Sequence, residues 1–473
     1  MKQIVYFIMA GGQGMRLWPL SRANFPKQLH CLYGNSSLLQ QSITRVLPIS
    51  KADKILIGTK EAIYPSVKQQ WEQLIPETEP WMILEPESRN TAPAIALAIL
   101  ACRERFNRDV ILVSLAADQI IKDIERFQSW IKFAAQVAAG GRIITFGIVP
   151  DNPETGYGYI KSGKKIIKNL YNVAQFKEKP DLKSAKRYLK SVKYLWNSGM
   201  FVFDTKVAAN SLKELTPDLW AAAQNVWAKR KYKGESVFFA KKDFCALPDI
   251  SLDYAIMEKS DNLAVIKADF KWSDLGSWQK IDDLALHNAE GNVFSGNVLG
   301  FETKNTFIKA DKRLVAALCV DDLVVVDTPD ALLITKKNCT QNVKQIVNVL
   351  NQKKSDLTQT HTTVHKPWGN YTILDRGEGY LMKRLIINPG QKLSLQKHRF
   401  RREHWFVACG KAEVVKGKEH FLLKTNQSIF IPKLCKHRVT NSFKNTLVII
   451  EVQTGSLLKE DDIIRYADIY GRV

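Results

Sequence analysis

The stretch Met9–Leu29, MAGGQGMRLWPLSRANFPKQL, emerges from the apolar run Ile4–Ala10 and decides how the first half of the chain is read. Gly11, Gly12 and Gly14 let the backbone come close to a phosphate chain, whose oxygens exposed N–H groups can bind. Arg16, Arg22 and Lys27 add countercharge a few residues on. The pattern matches neither a Walker A loop nor G-x-G-x-x-G, so neither a P-loop ATPase nor a dinucleotide enzyme is favoured. A plain strand-to-helix turn with a solvated basic flank is the competing reading. Three cations beside the glycines favour phosphate.

Outward from this turn, KQIVYFIMA, KILIG, MILEP, VILVSLAAD and RIITFGIV read as buried parallel strands. Helical spacing fills the intervals, as in TAPAIALAILACRERF and FQSWIKFAAQVAAG. Such alternation implies a doubly wound α/β sheet with ligands at the carboxyl ends of its strands. From about Asn292 the strands shorten and Gly, Asn and Asp punctuate them, which suggests a small β domain ending in a helix and a polar linker. A second β-rich block follows Lys366 and reads as a small barrel or sandwich. The expected domains are 1–285, 286–355 and 356–473.

A chain of 473 residues is too long for one core. Its net charge of +22 suits phosphate-rich partners, from nucleotides and sugar phosphates to nucleic acid or an anionic membrane. The seven cysteines at 31, 102, 245, 319, 339, 409 and 435 are scattered and never form C-x-x-C. They read as reduced thiols in a cytoplasmic protein. No apolar run reaches membrane-span length, and the N-terminal run is a strand candidate instead of a signal peptide.

GGQGMRLWPLSRANFPKQ resembles the nucleotide-binding signature of sugar-1-phosphate nucleotidyltransferases, and more narrowly of bacterial mannose-1-phosphate guanylyltransferases. The resemblance continues through EPESRNTAPAIALA, PETGYGYI, FKEKP, WNSGMFVF, SLDYAIMEK and WSDLGSW. It then runs through KPWGNY, LSLQKHRFRREHW, NQSIFIP and EVQTGSLLKEDDIIRYADIYGR. That order is similar to long bifunctional enzymes joining a guanylyltransferase to a phosphomannose isomerase. The implied fold is a Rossmann-like (GT-A-like) nucleotidyltransferase domain, a small β domain for which a left-handed β-helix is one form, and a C-terminal cupin barrel.

The resemblance implies that mannose 1-phosphate attacks the α-phosphorus of GTP, giving GDP-mannose and pyrophosphate. Asp118 and Asp274 match the family's Mg2+-holding positions, and Arg16 and Lys27 fall to the GTP phosphates. Gly11, Gly12, Gly14, Arg89, Asn90 and Thr91 fall to the nucleotide, although Asn90 or Thr91 also suits a helix cap. For the sugar, Gly156, Tyr157 and Gly158 form a close-approach turn, while Glu178, Lys179 and Asn197 hold hydroxyls and phosphate. Met15 and Gln119 replace the family's threonine and histidine.

The C-terminal block carries a cupin metal frame. Gly390, Gln396, His398, Glu403 and Gly410 keep its spacing, and Pro432, His437 and Asn441 complete it. Four ligand candidates result: Gln396, His398, Glu403 and His437. Glutamine in the first position resembles phosphomannose isomerases, which implies Zn2+ or another divalent transition metal and interconversion of mannose 6-phosphate and fructose 6-phosphate. Lys383, Arg384 and Arg438, with Arg402 beside them, are candidates for the phosphate. Arg399, Phe400 and Arg402 replace two histidines and a small residue of the family motif, and Leu434 replaces a glycine. These substitutions place the second activity against an alternative in which the cupin only packs or regulates. A basic nucleic-acid-binding protein is the alternative of another class, though no nucleic-acid signature appears. The expected partners are therefore the small substrates and a second copy in a homo-oligomer such as a dimer, not nucleic acid or membrane.

Overall fold

The computed structural model describes residues 2–467, and the end of the C-terminal motif, residues 468–473, lies outside them. The chain divides into two compact units, Met1–Thr328 with Leu332–Lys354, and Pro329–Ala331 with Ser355–Val473. The segment expected as a separate small β domain clusters with the first unit.

Strand β1, Ile4–Met9, lies in the middle of the first unit's sheet. It pairs in parallel with β2, Ile55–Lys60, on one side; beyond β2 lies β3, Trp81–Glu85. On its other side it pairs in parallel with β4, Ile111–Ala116. Alternation sends Val5 and Phe7 into one core layer with the helix Thr91–Phe106. Tyr6 and Ile8 enter the opposite layer with the helices Leu38–Val46 and Ile124–Ala139. Both faces are covered, so these strands read as continuous apolar runs.

The five runs read as parallel strands all point the same way, but strands outside that set make the complete sheet mixed. Tyr194–Asp204 inserts antiparallel between β4 and Ile143–Ile148, and the hairpin Tyr159–Ile167 with Leu170–Lys177 extends the far side. Strand periodicity does not encode direction, so sequence could not separate these cases.

Short parallel strands then stack in register, with Val293 against Phe307 and Phe307 against Val324, which is a β-helix-like arrangement. The coil is fixed to the first domain by Phe307 against Trp278, ring centroids 5.9 Å apart, and by a buried Lys337–Asp282 ion pair of 2.6 Å. Its closing helix, Val343–Gln352, packs on the signature turn at Met15–Leu17.

The second unit is two antiparallel sheets around Trp368, Trp405, Val407, Val439 and Ile449. Strand Arg401–Cys409 alternates strictly at first: Arg401, Glu403, Trp405 and Val407 are buried, whereas Arg402, His404 and Phe406 are exposed. That two-residue period decides what the metal frame presents.

Candidate active sites

The glycine turn, β4 and the WSDLGSW segment meet around one ammonium group. Lys27 Nζ lies 3.0 Å from Asp118 Oδ2 and donates to the Asp274 carbonyl at 2.7 Å. Gly12 is close enough that a Cβ there would lie 3.8 Å from Asp118 Oδ2. Gly14 has φ +59, and a Cβ would meet Lys27 Cβ and Ser21 Oγ at 2.9 Å, so the turn holds Lys27 in place only with glycine there. Lys27 is thus a buried cation among hard oxygen atoms near the end of a central strand, the type of oxygen that hard divalent ions also favour. Arg16 is exposed beside the turn. Arg22, expected to face the phosphates, is instead 1% exposed and donates Nε to the Pro19 carbonyl.

Tyr157 does something its motif did not reveal. Its hydroxyl donates to Asp274 Oδ1, and its ring sits edge-on to Trp196 and Trp272. Burial and the Asp274 charge push its ionisation far up, so it remains a donor. The Gly276 N–H also reaches that oxygen, at 3.1 Å. Gln119, the replacement for histidine, is buried and donates Nε2 to the Ser198 carbonyl at 2.7 Å. Its own carbonyl accepts from buried Arg45 at 3.0 Å, which fixes the loop just after Asp118.

On the nucleotide side, Asn90 has φ +66 and its Oδ1 accepts from Thr91 N at 3.0 Å; Thr91 Oγ1 accepts from Leu252 N at 2.9 Å. Asn90 therefore caps the helix, Thr91 ties the helix start to the segment at Leu252, and Arg89 lies half-buried beside them. Sequence reasoning missed Glu85. It ends β3 and is buried, and a Cβ at Gly11 would lie 3.7 Å from its Oε2. Burial, only partly offset by Lys60, pushes its carboxyl up to about 8. A charge-bearing residue finishing a buried strand was the available signal.

Among the residues expected to meet the sugar, Gly158 is required: a Cβ would lie 2.5 Å from Glu178 Oε2. Glu178 is buried and pairs with Lys179 at 2.8 Å. Asn197 Oδ1 accepts from Thr145 Oγ1 at 3.0 Å, and its Nδ2 donates to Asp253 Oδ1 at 3.0 Å. Gly156 N donates to Glu154 Oε1. Asp253, also missed, is raised to about 7 by burial and by Glu178. Glu178, Asp253 and Asn197 thus form one polar cluster beside Gly158, in which Asn197 is fixed by Thr145 and Asp253.

In the second unit His398, Glu403 and His437 converge, each offering one ligand atom within 4.8 Å of the others. Gln396 lies opposite His437 in the ladder, and its Oε1 accepts from Ser394 Oγ at 3.0 Å. His437 Nε2 is buried without a hydrogen-bond partner, 3.5 Å from Glu403 Oε2, and its Nδ1 lies 2.9 Å from the Cys435 carbonyl. An orphaned ring nitrogen, its other nitrogen held by a carbonyl, suits a metal ligand. Burial pushes the Glu403 carboxyl up, but the adjacent histidines overcome this and hold it well below the usual range. Trp405 Nε1 donates to both Glu403 Oε2 and Glu451 Oε1 at 3.1 Å.

The substitutions feared in this frame fall elsewhere. Arg399, Phe400 and Arg402 are exposed, so none enters the metal pocket. The pocket arginine is Arg401, whose Nε donates to Glu403 Oε1 at 3.1 Å. Lys383 lines the pocket with Lys366 and Arg465. Arg384 and Arg438 do not: Arg384 follows the pocket-lining Lys383 and Arg438 follows buried His437, so each points to the other face of its strand. Leu434 keeps the left-handed backbone that glycine would supply, at φ +63. That costs about 1–2 kcal/mol. Its N–H still donates to the His398 carbonyl at 2.8 Å.

A mixed α/β sheet with a glycine turn and a buried lysine bridging Asp118 to the Asp274 backbone, followed by β-helix coils and a histidine–carboxylate barrel, defines a nucleotidyltransferase joined to a cupin. The family models agree: residues 5–290 match nucleotidyl transferase, 296–350 a mannose-phosphate isomerase/GMP-like β-helix domain, and 353–468 the mannose-6-phosphate isomerase C-terminal domain. A mannose-1-phosphate guanylyltransferase of Escherichia coli K12 is 41% identical over 471 residues, covering 98% of each chain. The xanthan biosynthesis protein XanB of Xanthomonas campestris pv. campestris is 39% identical over 472 residues, covering 100% of each. A Thermus thermophilus structure titled mannose-1-phosphate geranyltransferase aligns with TM-score 0.65 at 28% identity, covering 74% of this chain and all of that one. The mannose-6-phosphate isomerase of Helicobacter pylori aligns with TM-score 0.51 at 30% identity, covering 58% of this chain and all of that one. The chain belongs to the mannose-1-phosphate guanylyltransferase family.

Proposed function

We propose that the chain joins GTP and mannose 1-phosphate into GDP-mannose and pyrophosphate, and that its cupin interconverts mannose 6-phosphate and fructose 6-phosphate. The observation that carries the first activity is the convergence of Asp118, Asp274 and Lys27 beside the glycine turn. A sugar-phosphate oxygen bonds to the α-phosphorus while the bond to the pyrophosphate oxygen breaks, so the protein must align two anions and neutralise them. Lys27 and Arg16 bind phosphate oxygens, Glu178 and Asn197 orient the sugar, and Tyr157 fixes the Asp274 carboxylate. Asp118 and Asp274 would hold a magnesium ion, which would supply further charge neutralisation on the phosphates.

In the cupin, Gln396, His398, Glu403 and His437 would hold a divalent transition metal such as zinc, which would supply Lewis-acid polarisation of a sugar carbonyl. Lys366, Lys383 and Arg465 receive the phosphate, with Arg401 fixing Glu403. Two assays of the purified chain test the pair: pyrophosphate release from GTP with mannose 1-phosphate, and conversion of fructose 6-phosphate in the presence of divalent metals. Activity in the first alone would return the cupin to a structural or regulatory role. Silence in both would remove the reading.

Glu85 is assigned to the base. Guanine offers N1–H and an amino N–H as adjacent donors, which a carboxylate accepts as a pair. The carboxyl keeps its proton up to about 8 in the free protein, and donors favour the ionised form. Below that pH, GTP affinity should therefore rise with pH, by up to about tenfold per unit, then level off. Glu85→Gln should flatten the profile and lower kcat/KM for GTP by about 100-fold. An unchanged profile would take Glu85 away from the base. For folding the sign is opposite. The folded state holds a proton that the unfolded chain gives up near 4.5, so stability declines as pH climbs from there through about 8.

A further inference from the structure

The charge of the chain is unevenly spread. Residues 161–193 contain eleven Lys and Arg against two acidic residues, a large part of the overall +22. Of those two acids, Glu178 is buried and paired with Lys179, which leaves Asp181 exposed at a helix cap. Lys164, Lys165, Lys168, Lys190 and Lys193 are exposed and form no ion pair among the described residues. Nothing proposed for catalysis uses them.

These residues share one surface. The hairpin Tyr159–Ile167 with Leu170–Lys177 is regular near its base but shifts register repeatedly between Lys161 and Ile167. Its outer half projects Lys164 to Lys168 into solvent. Ser162 N and Oγ both reach the Lys193 carbonyl, at 2.8 and 2.9 Å, which ties the turn at 190–193 to the hairpin. The preceding helix, Leu182–Leu189, turns Ala185 and Tyr188 inward, with Tyr188 stacked on Tyr194 at 4.1 Å. Lys183, Lys186 and Arg187 are left outward. Among the cations sit apolar side chains that a purely solvated face would not show: Ile167 is 49% exposed, Leu182 52% and Val192 96%, with Ile166 beside them.

We propose that this hairpin arm docks the protein on an anionic lipid surface. Lysines near a negatively charged headgroup plane gain diffuse attraction, and neighbouring aliphatic side chains enter the headgroup boundary. Nucleic acid fits less well. It calls for exposed aromatics on which bases stack, whereas here Phe176 and Tyr188 are buried and Tyr171 and Tyr194 are half-buried. Ten of the eleven cations are lysine, which suits a plane of charge better than bidentate phosphate contacts. A second copy presents the same sign and is repelled. The attachment is peripheral, since no helix among the described residues is long and apolar enough to cross a membrane. It differs from the sequence-based expectation that membranes are not partners.

The test is sedimentation of the full chain with vesicles of phosphatidylcholine alone or mixed two to one with phosphatidylglycerol. The protein should pellet with the mixed vesicles at low salt and be released as salt shortens the screening length. Lys164→Glu, Lys165→Glu and Lys168→Glu together should weaken binding at least about tenfold. Ile166→Ser with Ile167→Ser, which leaves every charge in place, should weaken it by about fivefold. GDP-mannose formation, expected to be unchanged in both variants, reports that they fold. Equal pelleting on neutral vesicles, no pelleting, or wild-type binding by the charge variant would overturn the proposal. So would release of the protein from vesicles by single-stranded RNA at lower salt-corrected concentration than by lipid phosphate.

Discussion

Asp118→Asn is expected to lower the rate of pyrophosphate release from GTP and mannose 1-phosphate by at least about 1,000-fold, some 4 kcal/mol of transition-state stabilisation. The carboxylate lies in the turn just after a strand at the centre of the sheet, and its Oδ2 lies 3.0 Å from Lys27 Nζ. Asparagine keeps the shape but removes the negative charge that a divalent ion requires. The fold should survive, because Lys27 retains the Asp274 carbonyl at 2.7 Å and the loop retains the bond from Arg45 to the Gln119 carbonyl. Circular dichroism and the melting temperature should therefore stay close to those of the parent, while binding of Mn2+ as a spectroscopic probe falls with activity. Near-normal turnover would remove Asp118 from the metal site.

His437→Ala should separate the two units functionally. The imidazole is buried, with Nε2 lacking a hydrogen-bond partner and aimed toward Glu403, so alanine deletes a ligand without freeing another group to replace it. Metal content of the purified protein should drop by about tenfold or more, and conversion of fructose 6-phosphate should fall at least about 100-fold. GDP-mannose formation should be unaffected, since its residues belong to the other compact unit. Glu403→Gln serves as the companion variant: it preserves volume, so a parallel loss of metal would exclude a packing defect. If parent and variants alike carry no metal and turn over no sugar phosphate, the barrel is structural.

Much of this site was legible in the chain because its signals are local. Three glycines after an apolar strand, an aspartate at a strand end and the run Gln396-x-His398 each concern neighbours a few positions apart, where backbone geometry is shared. Glu85 was only partly legible: its place at a strand end shows in the chain, but its burial depends on how β3 packs beside β2 and the glycine turn. Arg384 and Arg438 were misjudged for a related reason. Charge suggested phosphate, but the strand's alternation had already given the pocket face to Lys383 and His437.

The sequence by itself determined the order of elements, the α/β and cupin classes, the family resemblance and the ligand-bearing positions, since periodicity, turn residues and motif spacing act along the chain. Only the tertiary structure decided which of those residues meet. Lys27 reaches Asp274 across 247 positions, and Tyr157 reaches it across 117. It also decided that Arg399, Phe400 and Arg402 lie outside the metal pocket, because a residue's face is fixed by the register of the strands beside it. Contacts between distant segments form when the core brings them together, and their chemistry exists only in the fold.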